Sequence, residues 1–462
     1  MPLPAPHGPH VSPPSPDPIP ASNQLKPTLG LTSLVFYGVG SMLGAGIYGL
    51  IGQAAGIVGS AVWLAFGVAM VAALLTGLTY ASLVSRYPRA GGAAYITRQA
   101  FGSPLLAFVV GICVLASGMT SMATSSNVFA RNLVTLPELG WLNMTTVAVG
   151  VIVAMGLVNF WGLRESAAVN TVCTVVEASG LLVIIGLGAS FWGSRSLLEF
   201  PPGATGASGA MILATGAVVM QGAVLTFFSF IGFEDLLNVS EEAKDATRTV
   251  PRALVISQLV TVTIYMLVAI TAASVLPWQE LAASKTPLAD VAARASTWFP
   301  SWLIAAVTCF AVLNTSLLNY VMGSRLVFGM SRDGLLPGFF GKLNAWRRTP
   351  LLAIVFIGAA VLSLRLVNDI SQTAAATVLL LLTVFIAMNL GLAKILLSKA
   401  DATRAPFHIP VVVPILGAVV CSALIVARIS DPKAMPSLLI AGGIMVTAVV
   451  LHVGMSLSRR WA

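Results

Sequence analysis

Gly38-Val39-Gly40-Ser41-Met42-Leu43-Gly44-Ala45-Gly46-Ile47-Tyr48-Gly49 sits inside the first long apolar run of the chain, and its reading decides the architecture. Each glycine costs about 1 kcal/mol against alanine in a helix interior. Four of them within residues 38–46 therefore predict an unwound turn within a membrane-crossing helix. In hydrocarbon every backbone polar group needs a partner, so such a break is tolerated only where it lines a cavity. Phe227-Phe228-Ser229-Phe230-Ile231-Gly232-Phe233-Glu234-Asp235 predicts a second break, with aromatics around a single glycine and an acid pair directly after. One glycine-rich helix also fits a packing face of small residues. Interrupted helices at corresponding places in two halves point instead to inverted repeats with a binding site at the bilayer midplane.

The rest of the chain agrees with a bilayer as solvent. Of 462 residues, 57% are apolar and 9% charged, against roughly 25% charged in soluble chains; mean hydropathy is +0.91. At about 20 apolar residues per span, twelve spans are expected near 31–54, 58–83, 104–130, 142–163, 168–192, 214–238, 253–276, 301–330, 350–367, 371–397, 409–428 and 435–457. Residues 1–30 carry ten of the 26 prolines and read as a disordered cytosolic tail. With the amino terminus inside, 18 of the 25 Lys and Arg fall on the cytosolic side and 7 outside, the excess expected of cytosolic loops. Both termini are then cytosolic. This topology also accounts for the net charge of +9 without a nucleic-acid partner.

Several classes drop out. Cys113, Cys173, Cys309 and Cys421 are far apart within apolar runs, unlike a secreted disulfide scaffold. There is no HExxH, no paired Asp in the spans and no GxxxxGK[ST] loop, so neither an intramembrane enzyme nor direct ATP drive is expected. No filter-like loop suggests a channel. No cofactor and no metal are expected.

The breaks select a ligand. A half-helix beginning near Ala45 presents unpaired N–H groups and a partial positive charge, suited to a carboxylate. Carbonyls freed at Met42, Phe228 and Ile231 can accept from an ammonium. A site with both features complements a zwitterionic amino acid.

Five motifs carry a resemblance. They are Gly40-Ser41-Met42-Leu43-Gly44-Ala45-Gly46-Ile47-Tyr48, Ser85-Arg86-Tyr87-Pro88-Arg89-Ala90-Gly91-Gly92-Ala93-Ala94-Tyr95, and Phe228-Ser229-Phe230-Ile231-Gly232-Phe233-Glu234. Glu241-Glu242-Ala243-Lys244 through Pro251-Arg252-Ala253, and Ser324-Arg325-Leu326 through Met330-Ser331-Arg332-Asp333-Gly334-Leu335-Leu336-Pro337, complete the set. In this order they resemble bacterial-type amino acid permeases of the amino acid–polyamine–organocation (APC) superfamily. The resemblance implies an all-α polytopic membrane protein of the leucine-transporter fold, with inverted five-helix repeats over 31–192 and 193–398 and two accessory helices over 399–462. It implies secondary active transport of amino acids by alternating access in a bacterial inner (cytoplasmic) membrane. Ala45 and Gly46 then offer amides to the substrate carboxylate, and Met42, Phe228 and Ile231 offer carbonyls to its amino group. Gly44, Ile47 and Ser229 complete the expected substrate site, and Phe228 takes the place of an aromatic gate.

Glu177 departs from the family pattern. Proton-coupled relatives commonly carry a Lys there, standing in for a sodium ion. A buried Glu costs at least ~2.5 kcal/mol unless protonated or paired. Three readings stay open: a titrating proton carrier, part of a cation site with Thr315 and Ser316, or a structural acid bonded to the broken first span. Glu234 reads as structural, bonding amides freed by the second break. Glu241, Glu242 and Asp245, with Lys244, Arg248 and Arg252, read as a solvated cytosolic helix, and as a gating ion-pair network in the second instance. Asn314 and Asn319 read as interhelical hydrogen-bonders or, with Thr120 and Ser121, as a pocket wall. No acid is visible in that side-chain pocket, which tilts the expectation towards neutral substrates. Proton-coupled symport is expected, with sodium in place of the proton, or exchange of amino acids or polyamines without ion coupling, as alternatives.

Overall fold

The computed structural model describes residues 25–134, 141–202, 210–364, 370–398, 405–431 and 434–461. Most of the proline-rich segment expected as a tail, residues 1–24, lies outside the described residues. The described chain is helical, with a lone bridge between Leu29 and Ala243. Among the described residues, ten helical stretches are long and apolar enough to cross a bilayer. The protein is a multi-pass membrane protein.

The first of those stretches, residues 31–86, is interrupted twice. It comprises α1 (Leu31–Met42), α2 (Ala45–Val58) and α3 (Val62–Arg86). There follow α4 (Gly92–Phe101), α5 (Pro104–Val134), α6 (Met144–Trp161) and α7 (Leu163–Gly188). The second half holds α8 (Ala210–Phe227), α9 (Asp235–Asn238), α10 (Ala246–Val275), α11 (Trp278–Ala283), α12 (Pro287–Ala295) and α13 (Ser301–Arg332). The chain continues with α14 (Leu351–Leu364), α15 (Ile370–Leu397), α16 (Val412–Ile429) and α17 (Met435–Trp461). Every expected span falls on a helix. The one expected at 350–367 has only 14 described helical residues, fewer than the ~20 that a straight crossing needs.

Local sequence explains two of the helix starts. Asn143 caps α6 by accepting from the N–H groups of Thr145 and Thr146. Pro287 opens α12 at a position where a missing N–H costs nothing. The short helices α4, α11 and α12 were not foreseen, because a hydropathy threshold for membrane spans passes over short segments of this kind.

Packing puts α13 against α5 and α7, and α3 against α10 and α8, while α1 runs between α10 and α7. The core is one continuous apolar cluster through these helices. α17 stands at the edge, with many of its apolar side chains exposed to the lipid side. The two interrupted elements, α1–α2 and α8–α9, sit in the middle of this arrangement.

Candidate substrate site at two helix breaks

The first break is short. α1 stops at Met42, Leu43 and Gly44 leave helical geometry, and α2 starts at Ala45. The Met42 carbonyl is occupied in this arrangement: it accepts from the Gly44 N–H at 2.8 Å and from the Tyr265 hydroxyl at 2.5 Å. The second break is longer. α8 gives way to a 3-10 turn at Phe228–Phe230, Ile231 is extended, and the helix resumes at Asp235. Here the Gly232 N–H donates to Glu234 Oε2 at 2.8 Å, and the Ile231 N–H to the Phe228 carbonyl at 3.3 Å.

Tertiary packing presses the two breaks together, and a glycine sits at each contact. Gly232 has φ +129°, and a Cβ there would collide with the Ser41 carbonyl. A Cβ on Gly46 would lie 2.8 Å from the Ser229 Cα, closer than side chains approach a backbone. A side chain bond also spans the breaks, since Ser41 Oγ donates to Asp235 Oδ2 at 2.5 Å.

Between the breaks lies a cavity of about 60 Å³. Met42, Gly44, Gly46, Phe228 and Ile231 line it together with Ser41, Glu234, Asp235 and Thr315. Helix α5 contributes Ser117, Ser121, Thr124 and Ser125, and Asn319 and Thr377 come from α13 and α15. The space is far below the ~300–1,000 Å³ of sites for drug-sized ligands and suits a small solute. A larger cavity of about 350 Å³ lies on the α2 and α8 side, bounded by Leu50, Gln53, Gln221, Arg428 and Asp431. Phe228 lines both cavities.

Of the other expected site residues, Ile47, Ser229 and Ser316 are buried but do not line the central cavity, and Ser316 Oγ and Ser229 Oγ have no hydrogen-bond partner. Asn319 donates to Ser121 Oγ at 3.3 Å at the cavity wall. Thr120 bonds Thr377 behind it, at 2.8 Å. Asn314 stands away from the cavity, its amide donating to the Gly40 carbonyl at 3.4 Å and to Thr174 Oγ1 at 3.3 Å.

Glu177 is fully buried on α7, and neither carboxyl oxygen has a partner in hydrogen-bonding geometry. The residue of α13 that faces it is Asn314. From α2, the Tyr48 hydroxyl donates to the Glu177 backbone carbonyl at 3.4 Å.

The expectation of a solvated helix at Glu241 and Glu242 is overturned at the end of the bundle where α1 begins. Glu242 is buried and pairs with the buried Arg325 at 3.0 Å. Arg325 also binds Asn159 and Ser324. Glu241 receives both guanidinium arms of Arg332, at 2.8 and 2.5 Å, and the Ala90 N–H at 3.1 Å. Burial pushes the Glu241 carboxyl up, but the bonds and charge of Arg332 outweigh it and hold the group below its ordinary value. For Glu242, burial wins over Arg325 and the carboxyl is raised. Only Lys244, Asp245, Arg248 and Arg252 of this group are exposed. The strap ahead of α1 joins the same cluster, with the Thr28 and Leu29 N–H groups on the Glu242 carbonyl at 2.8 and 3.0 Å.

Ser41, Asp235 and Tyr265 went unread in the sequence. Asp235 carried a signal, since a second acid beside Glu234 at a membrane break needs a reason. Arg325 carried one too: a cation within an apolar helix requires an acid partner.

Apolar helices packed around a buried polar cavity at two helix breaks make a multi-pass membrane protein built on a solute-sized site. Residues 29–454 match the amino acid permease family. The chain is 30% identical over 336 residues to a chloroplastic cationic amino acid transporter of Arabidopsis thaliana, covering 68% of this chain and 57% of that relative's length. It is 27% identical over 424 residues to a branched-chain amino acid permease of Bacillus subtilis, covering 87% and 88%. Similarity to a low-affinity putrescine importer of Escherichia coli is 28% over 352 residues, covering 73% and 74%. This chain belongs to the amino acid permease family of the APC superfamily.

Proposed function

We propose that the chain is a secondary active transporter that carries amino acids across the cytoplasmic membrane by alternating access, in symport with protons. Its helices read as two inverted five-helix repeats, 31–192 and 193–398, followed by two accessory helices, with both termini cytosolic. Pairing of corresponding helices supports this layout: α3 packs on α10, α5 on α13 and α6 on α14.

The observation that carries the reading is Phe228, the shared wall between the cavity at the breaks and the larger cavity beyond it. An aromatic ring at that boundary closes one path when it turns, as alternating access requires. The substrate carboxylate meets the N–H groups that open α2 at Ala45 and Gly46, with Gly44 and Ile47 beside them, where the helix dipole favours an anion. Its ammonium meets carbonyls of the breaks at Phe228 and Ile231, next to Ser229, and at Met42 once Tyr265 releases that oxygen. Glu234 keeps a structural role by bonding the Gly232 N–H.

Glu177 carries the proton. Its carboxyl is fully buried with no cation bonded to it and faces the neutral Asn314 amide, which supports a group that gains and loses a proton. Uptake into proteoliposomes tests the proposal. An inward proton gradient drives accumulation of labelled amino acid, and Glu177→Gln flattens the pH dependence. Uptake that ignores the gradient but needs amino acid on the far side replaces symport with exchange. Dependence on a sodium gradient instead moves the coupling ion to Glu177 with Thr315 and Ser316.

A further inference from the structure

The central cavity holds two buried acids, Glu234 and Asp235, and among the described residues no Lys, Arg or His lines it. Away from the membrane-embedded helices the chain matches its enclosed acids itself, Glu242 with Arg325 and Glu241 with Arg332, whereas Glu177 on α7 also lacks a cation. Glu234 directs one oxygen to a backbone amide. Asp235 has the Ser41 hydroxyl, a neutral donor. An ionised carboxylate in a low-dielectric site is strongly disfavoured without a counter-charge. The remaining wall mixes hydroxyls of α5, from Ser117, Ser121, Thr124 and Ser125, with the apolar side chains of Val114, Met322 and Leu381, which can carry the methylenes of an alkylammonium chain.

We infer that Asp235 is the specificity-determining residue of the cavity and that it selects a positively charged substrate, by pairing with an alkylammonium group of a cationic amino acid or a diamine. The inference rests on the transport reading above and narrows it, replacing the neutral substrate expected from the sequence. Ser41 orients the Asp235 carboxylate across the two breaks, so its loss weakens the preference without abolishing it.

Thermal stabilisation of the purified full-length protein by L-lysine, putrescine, L-leucine and glycine tests this, since a ligand of the folded form raises its melting temperature. Lysine, putrescine or both stabilise the wild type at concentrations where leucine and glycine do not. Lysine alone identifies a cationic amino acid, and putrescine alone a carboxylate-free amine. Asp235→Asn lowers affinity for the stabilising cation by about tenfold or more. Should that variant fail to fold, Asp235→Glu shifts the carboxylate by one methylene and changes the ratio of lysine to putrescine affinity. Stabilisation by leucine or glycine without the cations overturns the inference and leaves amino acid transport standing. Undiminished cation binding by Asp235→Asn, or an unchanged ratio in Asp235→Glu, also overturns it. If none of the four ligands binds, the transport reading falls and takes the inference with it.

Discussion

Two regions of this protein bury glutamates and aspartates, and they treat them in opposite ways. Where α1 begins, Glu241 and Glu242 are each locked to an arginine, and the Glu241 carboxylate also accepts the Ala90 N–H, so the charge is neutralised within the fold. At the helix breaks Asp235, and on the neighbouring α7 Glu177, are buried without any cation bonded to them. Buried pairs hold a structure in one arrangement, whereas a buried acid without a partner waits for a charge from outside. The first region is a strut and the second a receptor.

That contrast can be broken from either side. The largest effect is expected at the contact between the breaks. Gly232→Ala combines a left-handed φ with a collision against the Ser41 carbonyl, and misplacement on the order of 1 Å can cost about 100-fold in rate. Uptake should fall by that order while the protein still inserts in the membrane; near-normal uptake would show that the breaks need not touch. Next comes the strut. Arg325→Ala strands Glu242 in the interior, which costs about 3–5 kcal/mol, and the melting temperature of purified protein should drop sharply. Arg325→Met combined with Glu242→Met should recover most of it, and no recovery would mean that the pair does more than neutralise charge.

A smaller effect is expected at Phe228→Ala. Loss of the shared wall should speed release of bound substrate by about tenfold, measured as dissociation of labelled ligand, with unaltered release removing Phe228 as a gate. The smallest is Asp333→Asn, beside the strut. Burial, opposed by Arg89, Arg332 and Arg98, pushes the Asp333 carboxyl up to about 6. The folded form then binds more protons than the unfolded form between about pH 4 and 6, so stability falls as pH rises through that window. The variant should melt with the wild type near pH 3.5, below both values, and above it near pH 7.5. Parallel melting at both pH values would place the proton elsewhere.

The interruptions were legible in the chain because glycine clusters and aromatic–glycine–acid runs violate the rules of a helix in lipid, and α1 ends and α2 starts within the glycine cluster. Most of the long apolar helices were legible too, since each needs only its own composition. Helices α4, α11 and α12 were not, being too short for a hydropathy window. Nor was the fate of the charges. Glu241 and Glu242 look solvated in a polar stretch of sequence, yet Arg325 and Arg332, more than 80 residues away, bury and neutralise them. Asp235 reads as one of an acid pair at the second break, but only the packed bundle shows that it lines the cavity. Composition and local pattern thus determine that the chain crosses a membrane and where its helices must break, because each follows from backbone hydrogen bonding within one segment. Which acids find an arginine and which are left facing a solute depends on contacts between distant helices, so only the packed bundle decides it.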